Sequence, residues 1–316
     1  MLQSLPKPFF VLAPMDDVTD TVFRRIVGQC ARPDLFFTEF VNVDGLQSIG
    51  RPQLIKRIKF TPKEQPLLVA QIWGKIPENF YKTAQELVRM GFVGIDINMG
   101  CPEKAVVKNG CCSALINNRE LALEMIKATQ KGAAGKIPVS VKTRLGFNEV
   151  DLSWHELLLQ QNLAMLTIHG RTRKEMSDVP ADWEMIGKVR ELRDRIAPNT
   201  LIVGNGDITS RQQGQELAEH YKLDGVMIGR GVFADPFVFA QSSPWAEYTK
   251  QQRIDLYRRH VELFIETWPN NERRIATLNK FCKIYINGFD NAKELREQLM
   301  AAKTADELLQ LLAQEI

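Results

Sequence analysis

One short tract of the 316-residue chain collects residues that can deliver a proton next to a closely held ligand: Asn98-Met99-Gly100-Cys101-Pro102. Gly100 permits close approach of a ligand to the backbone, and Pro102 fixes φ and removes a donor, so the turn presents the Cys101 thiol. With an ordinary pKa of about 8.5, a thiol is mostly protonated at neutral pH and can give its proton to a carbanion-like centre. Cys101 could instead be a nucleophile, although no His or Asp stands near it in sequence to activate it. A third reading, a buried structural cysteine, suits Cys30 and Cys282 better. Cys101, Cys111 and Cys112 lack zinc-like spacing, and the 4 histidines form no paired motif, so no metal site is expected.

Further polar residues recur where short apolar runs end. They are Pro14 and Met15, then Glu39, Gln71, Asn98 with Cys101, Lys142 with Arg144, His169 with Arg171, Asn205 with Gly206, and Gly229 with Arg230. Any one of them is an ordinary loop residue; as a set they form a polar rim. Lys142 adjoins the run Val139-Ser140-Val141, where an ammonium is costly to desolvate unless an anion meets it. The electron-rich N1 and O2 edge of a flavin ring would satisfy it, and so would a phosphate. His169 is either a structural hydrogen-bonding group or a ligand contact, and Lys142 and Arg171 favour the latter. Gln71 either meets the polar edge of a planar ring or caps its own strand. Gly204-Asn205-Gly206-Asp207 and Gly229-Arg230-Gly231 let backbone N–H groups approach an anion, with Arg230 as a charged clamp. Gly229-x-Gly231-x-x-Ala234 superficially matches a dinucleotide fingerprint. It follows the last strand instead of opening a βαβ unit, so a mononucleotide phosphate is the expectation.

These residues need a frame that brings strand ends together. Eight runs rich in Val, Ile, Leu or Phe read as parallel strands buried on both faces: Phe9–Ala13, Leu35–Thr38, Leu67–Ile72, Val93–Ile97, Pro138–Lys142, Ala164–His169, Leu201–Gly204 and Gly225–Gly229. Amphipathic helices are expected between them, at Pro77–Met90 (closed by Gly91), Arg119–Lys131 (closed by Gly132), Asp182–Arg193 and Ser210–Glu219. The basic segment from Phe40 to Pro66 shows little periodicity. This alternation predicts an α/β fold, a TIM (β/α)8 barrel, whose active site lies at the C-terminal ends of its strands. An open doubly wound sheet would need a glycine loop after the first strand, where Ala13-Pro14-Met15-Asp16 stands instead. After Pro244 only helical runs follow, at Ala246–Thr267, Asn271–Ile286, Ala292–Ala302 and Thr304–Glu315, with Pro269-Asn270-Asn271, Gly288 and Thr304 as turns or caps. The expected domains are a barrel over residues 1–243 and a small all-helical domain over 244–316.

Composition bounds the function without choosing it. A net charge of +3 does not by itself argue for nucleic acid. The 5 cysteines form no even framework and no C-x-x-C pair, no apolar leader follows Met1, and no run is long enough to span a membrane. A cytoplasmic protein with reduced thiols, monomeric and off the membrane, is expected.

Taken together, Ala13-Pro14-Met15, Thr38-Glu39-Phe40, Asn98-x-Gly100-Cys101-Pro102, Val141-Lys142-x-Arg144, His169-Gly170-Arg171-Thr172, Asn205-Gly206-Asp207-Ile208 and Gly229-Arg230-Gly231 resemble the tRNA-dihydrouridine synthases. The order matches across nearly the whole barrel and continues more weakly over Phe281 to Arg296. The resemblance implies FMN held by Pro14, Met15, Asp16, Gln71, Lys142, His169, Asn205, Gly206, Asp207, Gly229 and Arg230, with NADPH (or NADH) as reductant. It implies hydride delivery to C6 of a uracil in tRNA, Cys101 protonating C5, Asn98 holding the uracil edge, and Arg144 and Arg171 beside the substrate. Three features depart from the family pattern. Glu175 and Ser177 stand where Gln and Tyr are common, Gly110-Cys111-Cys112-Ser113-Ala114 carries an unusual thiol pair, and the tail is nearly charge-balanced. Its basic and aromatic residues Arg273, Arg274, Lys280, Phe281, Lys283 and Tyr285 read either as an RNA-facing patch or as a solvated helix face. The competing functions are a flavin barrel reducing a free pyrimidine, such as dihydroorotate, and a non-catalytic RNA-binding barrel.

Overall fold

All eight expected runs form parallel strands in the computed structural model, which describes residues 2–269 and 272–315. The chain packs as two compact units, residues 1–21 with 33–229 and residues 22–32 with 230–316.

In the first unit the strands are β1 Phe9–Leu12, β2 Leu35–Phe37, β3 Val41–Asn42, β4 Leu68–Trp73, β5 Gly94–Met99, β6 Val139–Arg144, β7 Met165–His169, β8 Leu201–Asn205 and β9 Gly225–Ile228. β1 pairs with both β2 and β9, and β2 pairs with β4, so the sheet closes into an eight-stranded barrel. The unexpected β3 pairs only with the far end of β4, Val41 against Ile72. Strand side chains alternate in direction, and one set fills the interior with Val11, Leu35, Phe37, Val69, Met165, Val203 and Met227. Two residues further along, the same alternation carries Gln71, Thr167 and Asn205 towards the C-terminal mouth. Strands β5 and β6 outrun expectation: Asn98 and Lys142 lie inside them, and Arg144 ends β6. Rigid strands, not loops, aim these three side chains.

Helix Pro77–Met90 starts with Pro77 in its first turn and stops at Gly91, whose φ of 84° suits glycine. Helix Arg119–Ala133 corrects one expectation, because Gly132 lies inside it and Ala134, at φ 50°, is the cap. Gly132 instead serves packing against the preceding helix, where an added Cβ would fall 2.3 Å from the Tyr81 carbonyl oxygen. Gly132→Ala gains about 1 kcal/mol of helix propensity, but it drives two helix backbones apart, and such overpacking costs about 1–3 kcal/mol. We expect a net loss, read as a lower urea midpoint; a higher midpoint would show that the helices separate freely. The segment from Phe40 to Pro66 hides its structure from periodicity because side-chain caps build it. Asn42 Oδ1 accepts the Gly45 N–H at 2.7 Å, and Asp44 accepts Lys75 N–H at 2.8 Å and Asn79 Nδ2 at 2.9 Å.

In the second unit, helix Lys250–Thr267 begins four residues later than expected, at a capping box made by Thr249 and Gln252. The run expected over Asn271–Ile286 is a 3-10 turn, Ile275–Leu278, followed by helix Asn279–Tyr285. Asn270 and Asn271 of the expected turn lie outside the described residues. Helices Ala292–Ala301 and Ala305–Gln314 complete the tail, the latter capped by Thr304. Phe281 and Tyr285 are core residues here, at 2% and 0% exposure. Phe23 stacks on Phe281 at 5.0 Å, and Tyr285 Oη meets His260 Nδ1 at 2.9 Å. The expected mixed patch therefore loses its aromatics, which burial claims, while Arg274, Lys280 and Lys283 stay exposed. No helix among the described residues is long and apolar enough to cross a membrane.

Candidate active site

The Asn98–Pro102 tract is oriented from below by a buried acid that the sequence reading did not single out. Asp96, fully enclosed in β5, accepts Gln71 Nε2 at 2.8 Å and Ser140 Oγ at 2.6 Å. An ionised carboxylate only accepts, so it turns the Gln71 amide nitrogen towards itself and leaves Gln71 Oε1 to accept Asn98 Nδ2 at 3.0 Å. That leaves Asn98 Oδ1 to receive the N–H groups of Gly100 and Cys101, at 3.0 and 2.9 Å. Burial pushes the Asp96 carboxyl up to about 6, opposed by the bonds from Ser140 and Gln71 and by the charge of Lys142. An acid within the apolar run Gly94-Ile95-Asp96-Ile97, two residues before Asn98, was the available signal.

From above, Arg144 clasps the same tract. Its Nε donates to the Gly100 carbonyl at 2.8 Å, and Nη1 donates to the carbonyls of Thr172 and Met176 at 2.9 and 3.0 Å. The loop after β7 is closed by Glu175, whose carboxylate accepts the Thr172 N–H at 2.7 Å. This contact gives the departure at Glu175 a structural role; Ser177 is exposed. Burial lowers the Arg144 pKa to about 10, partly offset by the negative charge Cys101 can carry. Cys101 itself is brought down to about 7, chiefly by a hydrogen bond with the Cys112 thiol, then by the Glu103 N–H and the charge of Arg144, with burial opposing. Instead of the unperturbed thiol expected from sequence, the site holds one drawn down towards neutral pH. Such a group is well matched to proton transfer there.

Cys101 borders a cavity of ≈ 320 Å³ walled by Asp16, Phe40, Asn42, Arg57 and Trp73. The aperiodic segment after β2 thus builds one side of the site. Larger hollows of ≈ 400 and ≈ 650 Å³ open beside Gln3 and Ala164, at the N-terminal ends of the strands and away from Cys101; size does not mark the site. Asp16 ion-pairs with Arg57, which also bonds Glu39 at 3.2 Å and Asp17 at 3.4 Å. The oxygens of these three acids lie within 4.8 Å of one another, with the Arg57 guanidinium already among them.

The remaining rim residues of the first unit converge on the barrel mouth. Lys142 Nζ donates to Asn205 Oδ1 at 2.9 Å, and Asn205 Nδ2 donates to the Met227 carbonyl at 2.8 Å. Burial and the charge of Arg144 lower the Lys142 pKa to about 8. Thr167, paired in register with Lys142, keeps a buried hydroxyl with no partner among the described residues. At Gly229 an added Cβ would meet only Ala13 and Met15, at 3.6 and 3.9 Å, so the backbone there is open to a neighbour. Gly206, at φ 140°, lies against His169, and Arg171 spans His169 and Asp207, bonding Nε2 at 3.2 Å and ion-pairing with the acid. Arg171 is 3% exposed and holds the β7 and β8 loops together. Met15 is fixed by its N–H to Thr19 Oγ1 at 2.9 Å, beside Pro14. Arg230 opens the second unit as the N-cap of helix Gly231–Ala234.

The family model for dihydrouridine synthase (Dus) matches residues 11–316. The chain is 49% identical over 311 residues to a protein of Staphylococcus aureus (strain COL) named probable tRNA-dihydrouridine synthase, covering 98% of this chain and 93% of that one. It is 48% identical over 314 residues to probable tRNA-dihydrouridine synthase 2 of Bacillus subtilis (strain 168), covering 98% and 94%. Among solved structures, histamine dehydrogenase from Rhizobium sp. 4-9 superposes with a TM-score of 0.53 at 12% identity, covering 80% of this chain and 48% of that one. A morphinone reductase mutant in complex with tetrahydroNAD gives 0.51 at 13%, covering 75% and 87%. At these identities the structures share the barrel fold. Because the family model and the bacterial relatives span nearly its whole length, the chain belongs to the dihydrouridine synthase family.

Proposed function

We propose that the protein is an FMN- and NADPH-dependent tRNA-dihydrouridine synthase in which Cys101 is the proton donor. The observation that carries this reading is the Cys101 thiol, held in a tract clasped by Asn98 and Arg144 on the wall of a cavity at the C-terminal mouth of the barrel. The mouth fits a flavin in its donor set: a half-buried ammonium at Lys142, a hydroxyl at Thr167 with no partner among the described residues, the amides of Gln71 and Asn205, and open backbone at Gly229. Pro14, Met15, Asp16, His169, Gly206 and Asp207 complete the group that would hold it. When bound, the flavin would supply hydride to C6 of the uracil. Asn98 would hold the pyrimidine edge, while Arg144 and Arg171, engaged with backbone and with Asp207, would keep the surrounding loops in place. Cys101 would give its proton to C5, so no carbanion persists. The exposed Arg274, Lys280 and Lys283 of the helical unit, which spans the proposed RNA-binding region 244–316, would meet tRNA phosphates.

The test is dihydrouridine mapping in RNA from cells with and without the gene, paired with turnover of purified protein on tRNA, free uridine and dihydroorotate. Loss of dihydrouridine at defined tRNA positions supports the reading, whereas turnover of a free pyrimidine alone would replace it. The acid role also sets a pH profile. Only protonated Cys101 can donate, so the rate of the proton-dependent step should fall about tenfold per unit above a pKa of about 7. A rate constant flat from pH 6 to about pH 9 would remove Cys101 from that step.

A further inference from the structure

The vicinal Cys111-Cys112 pair is not accounted for by proton donation from Cys101. Cys112 opens the 3-10 turn Cys112–Asn117 at φ 53°, a left-handed conformation that glycine would adopt without strain. That turn is stitched to the backbone of Cys101, because Ser113 N–H and Ser113 Oγ both donate to the Cys101 carbonyl, at 3.4 and 2.8 Å. The stitching sets Cys112 beside Cys101, close enough for each thiol to affect the ionisation of the other. They differ in access. Cys101 faces the ≈ 320 Å³ cavity, where small solutes reach it, while Cys112 is 1% exposed. A thiol on a cavity wall beside an enclosed one is the arrangement of an attacking and a resolving cysteine.

We propose that Cys101 and Cys112 form a peroxide-oxidisable pair, closing to an intrachain disulfide that withdraws Cys101 until a thiol reductant reopens it. The Cys101 thiolate attacks one oxygen of hydrogen peroxide, forming an S–O bond as the O–O bond breaks. The hydroxide released takes the Cys112 thiol proton and becomes water. The Cys112 sulfur then attacks the Cys101 sulfenic sulfur, forming the S–S bond as the S–O bond breaks, and the second hydroxide leaves as water with the proton Cys101 gave up. Two thiols lose two electrons and one peroxide becomes two waters. Trapping the sulfenic acid in this way keeps Cys101 on a recoverable rung of oxidation, where a lone thiol would proceed to the sulfinic acid. The effect on turnover rests on the acid role proposed for Cys101; the cross-link does not.

Peptide mapping of the full-length protein tests it. After reduction, brief exposure to hydrogen peroxide, alkylation and trypsin, Cys101 lies on peptide Met90–Lys104, and Cys111 and Cys112 lie on Asn109–Arg119. We expect these peptides to be joined, to separate on dithiothreitol, and to join equally in Cys111→Ser. In Cys112→Ser they should stay separate while Cys101 accumulates a dimedone-reactive sulfenic acid and then an unrecoverable sulfinic acid. Free Cys101 under peroxide, a disulfide confined to Cys111–Cys112, or a cross-link lost in Cys111→Ser would each overturn the pair. If Cys112→Ser does not fold, wild type and Cys111→Ser decide the matter alone. Cross-linking with full turnover would leave the pair standing and overturn the acid assignment.

Discussion

Cys101→Ala should reduce dihydrouridine formation about 10²–10⁴-fold, the range contributed by a positioned general acid, without loss of bound flavin. The side chain removed is the thiol alone. The bonds that shape the tract run from the backbone N–H groups of Gly100 and Cys101 to Asn98, and from Arg144 to the Gly100 carbonyl, and all of them survive the substitution. The turnover number should therefore fall while KM for tRNA stays near its original value, the pattern of an interaction made only in the transition state. Cys101→Ser should recover little, because a hydroxyl is far too weak an acid at neutral pH. Product formation, flavin absorbance and thermal midpoint measured together decide it. Undiminished turnover in Cys101→Ala would end the assignment, and lost flavin or a collapsed midpoint would show that the thiol is structural.

Lys142→Met should act with opposite sign on cofactor and fold. The ammonium sits at the mouth of a closed barrel, where burial and Arg144 have lowered its pKa to about 8, so its charge is held at a cost in the ligand-free protein. An apolar side chain of similar length removes that cost and leaves Asn205 Oδ1 without its donor. The ligand-free thermal midpoint should be unchanged or higher. FMN affinity should fall roughly 10- to 100-fold, the equivalent of one lost charged hydrogen bond at about 1.5–3 kcal/mol. Fluorescence titration with FMN measures this, and an affinity within about twofold of wild type would separate Lys142 from the flavin. The same change removes the positive charge that favours ionisation of Asp96. A more fully protonated Asp96 no longer compels the Gln71 and Asn98 amides to face one way.

How much of the site could be read in advance depended on the kind of signal each residue carried. Lys142, His169 and Asn205 were legible because a polar side chain at the end of a β-rich apolar run breaks a pattern of period two. Asp96 broke the same pattern but sat within its strand, so its part emerges only when β4 and β6 bring Gln71 and Ser140 beside it. Arg57 was illegible because side-chain caps, not periodicity, build its segment. Phe281 and Tyr285 misled for the converse reason. A helix face does not declare whether it looks to water, and Phe23, over 250 residues upstream, settles that.

By itself, the sequence determined a closed β/α barrel with polar residues gathered at its strand ends, and a single thiol in a turn shaped by Gly100 and Pro102. Alternation along strands and backbone restriction at glycine and proline are local properties that short stretches already contain. Only the tertiary structure decided what kind of thiol Cys101 is. Its ionisation answers to Cys112, Glu103 and Arg144, and its direction to a chain of bonds that begins at Asp96. Electrostatic and hydrogen-bond terms depend on distance in space, and closing the barrel is what sets those distances.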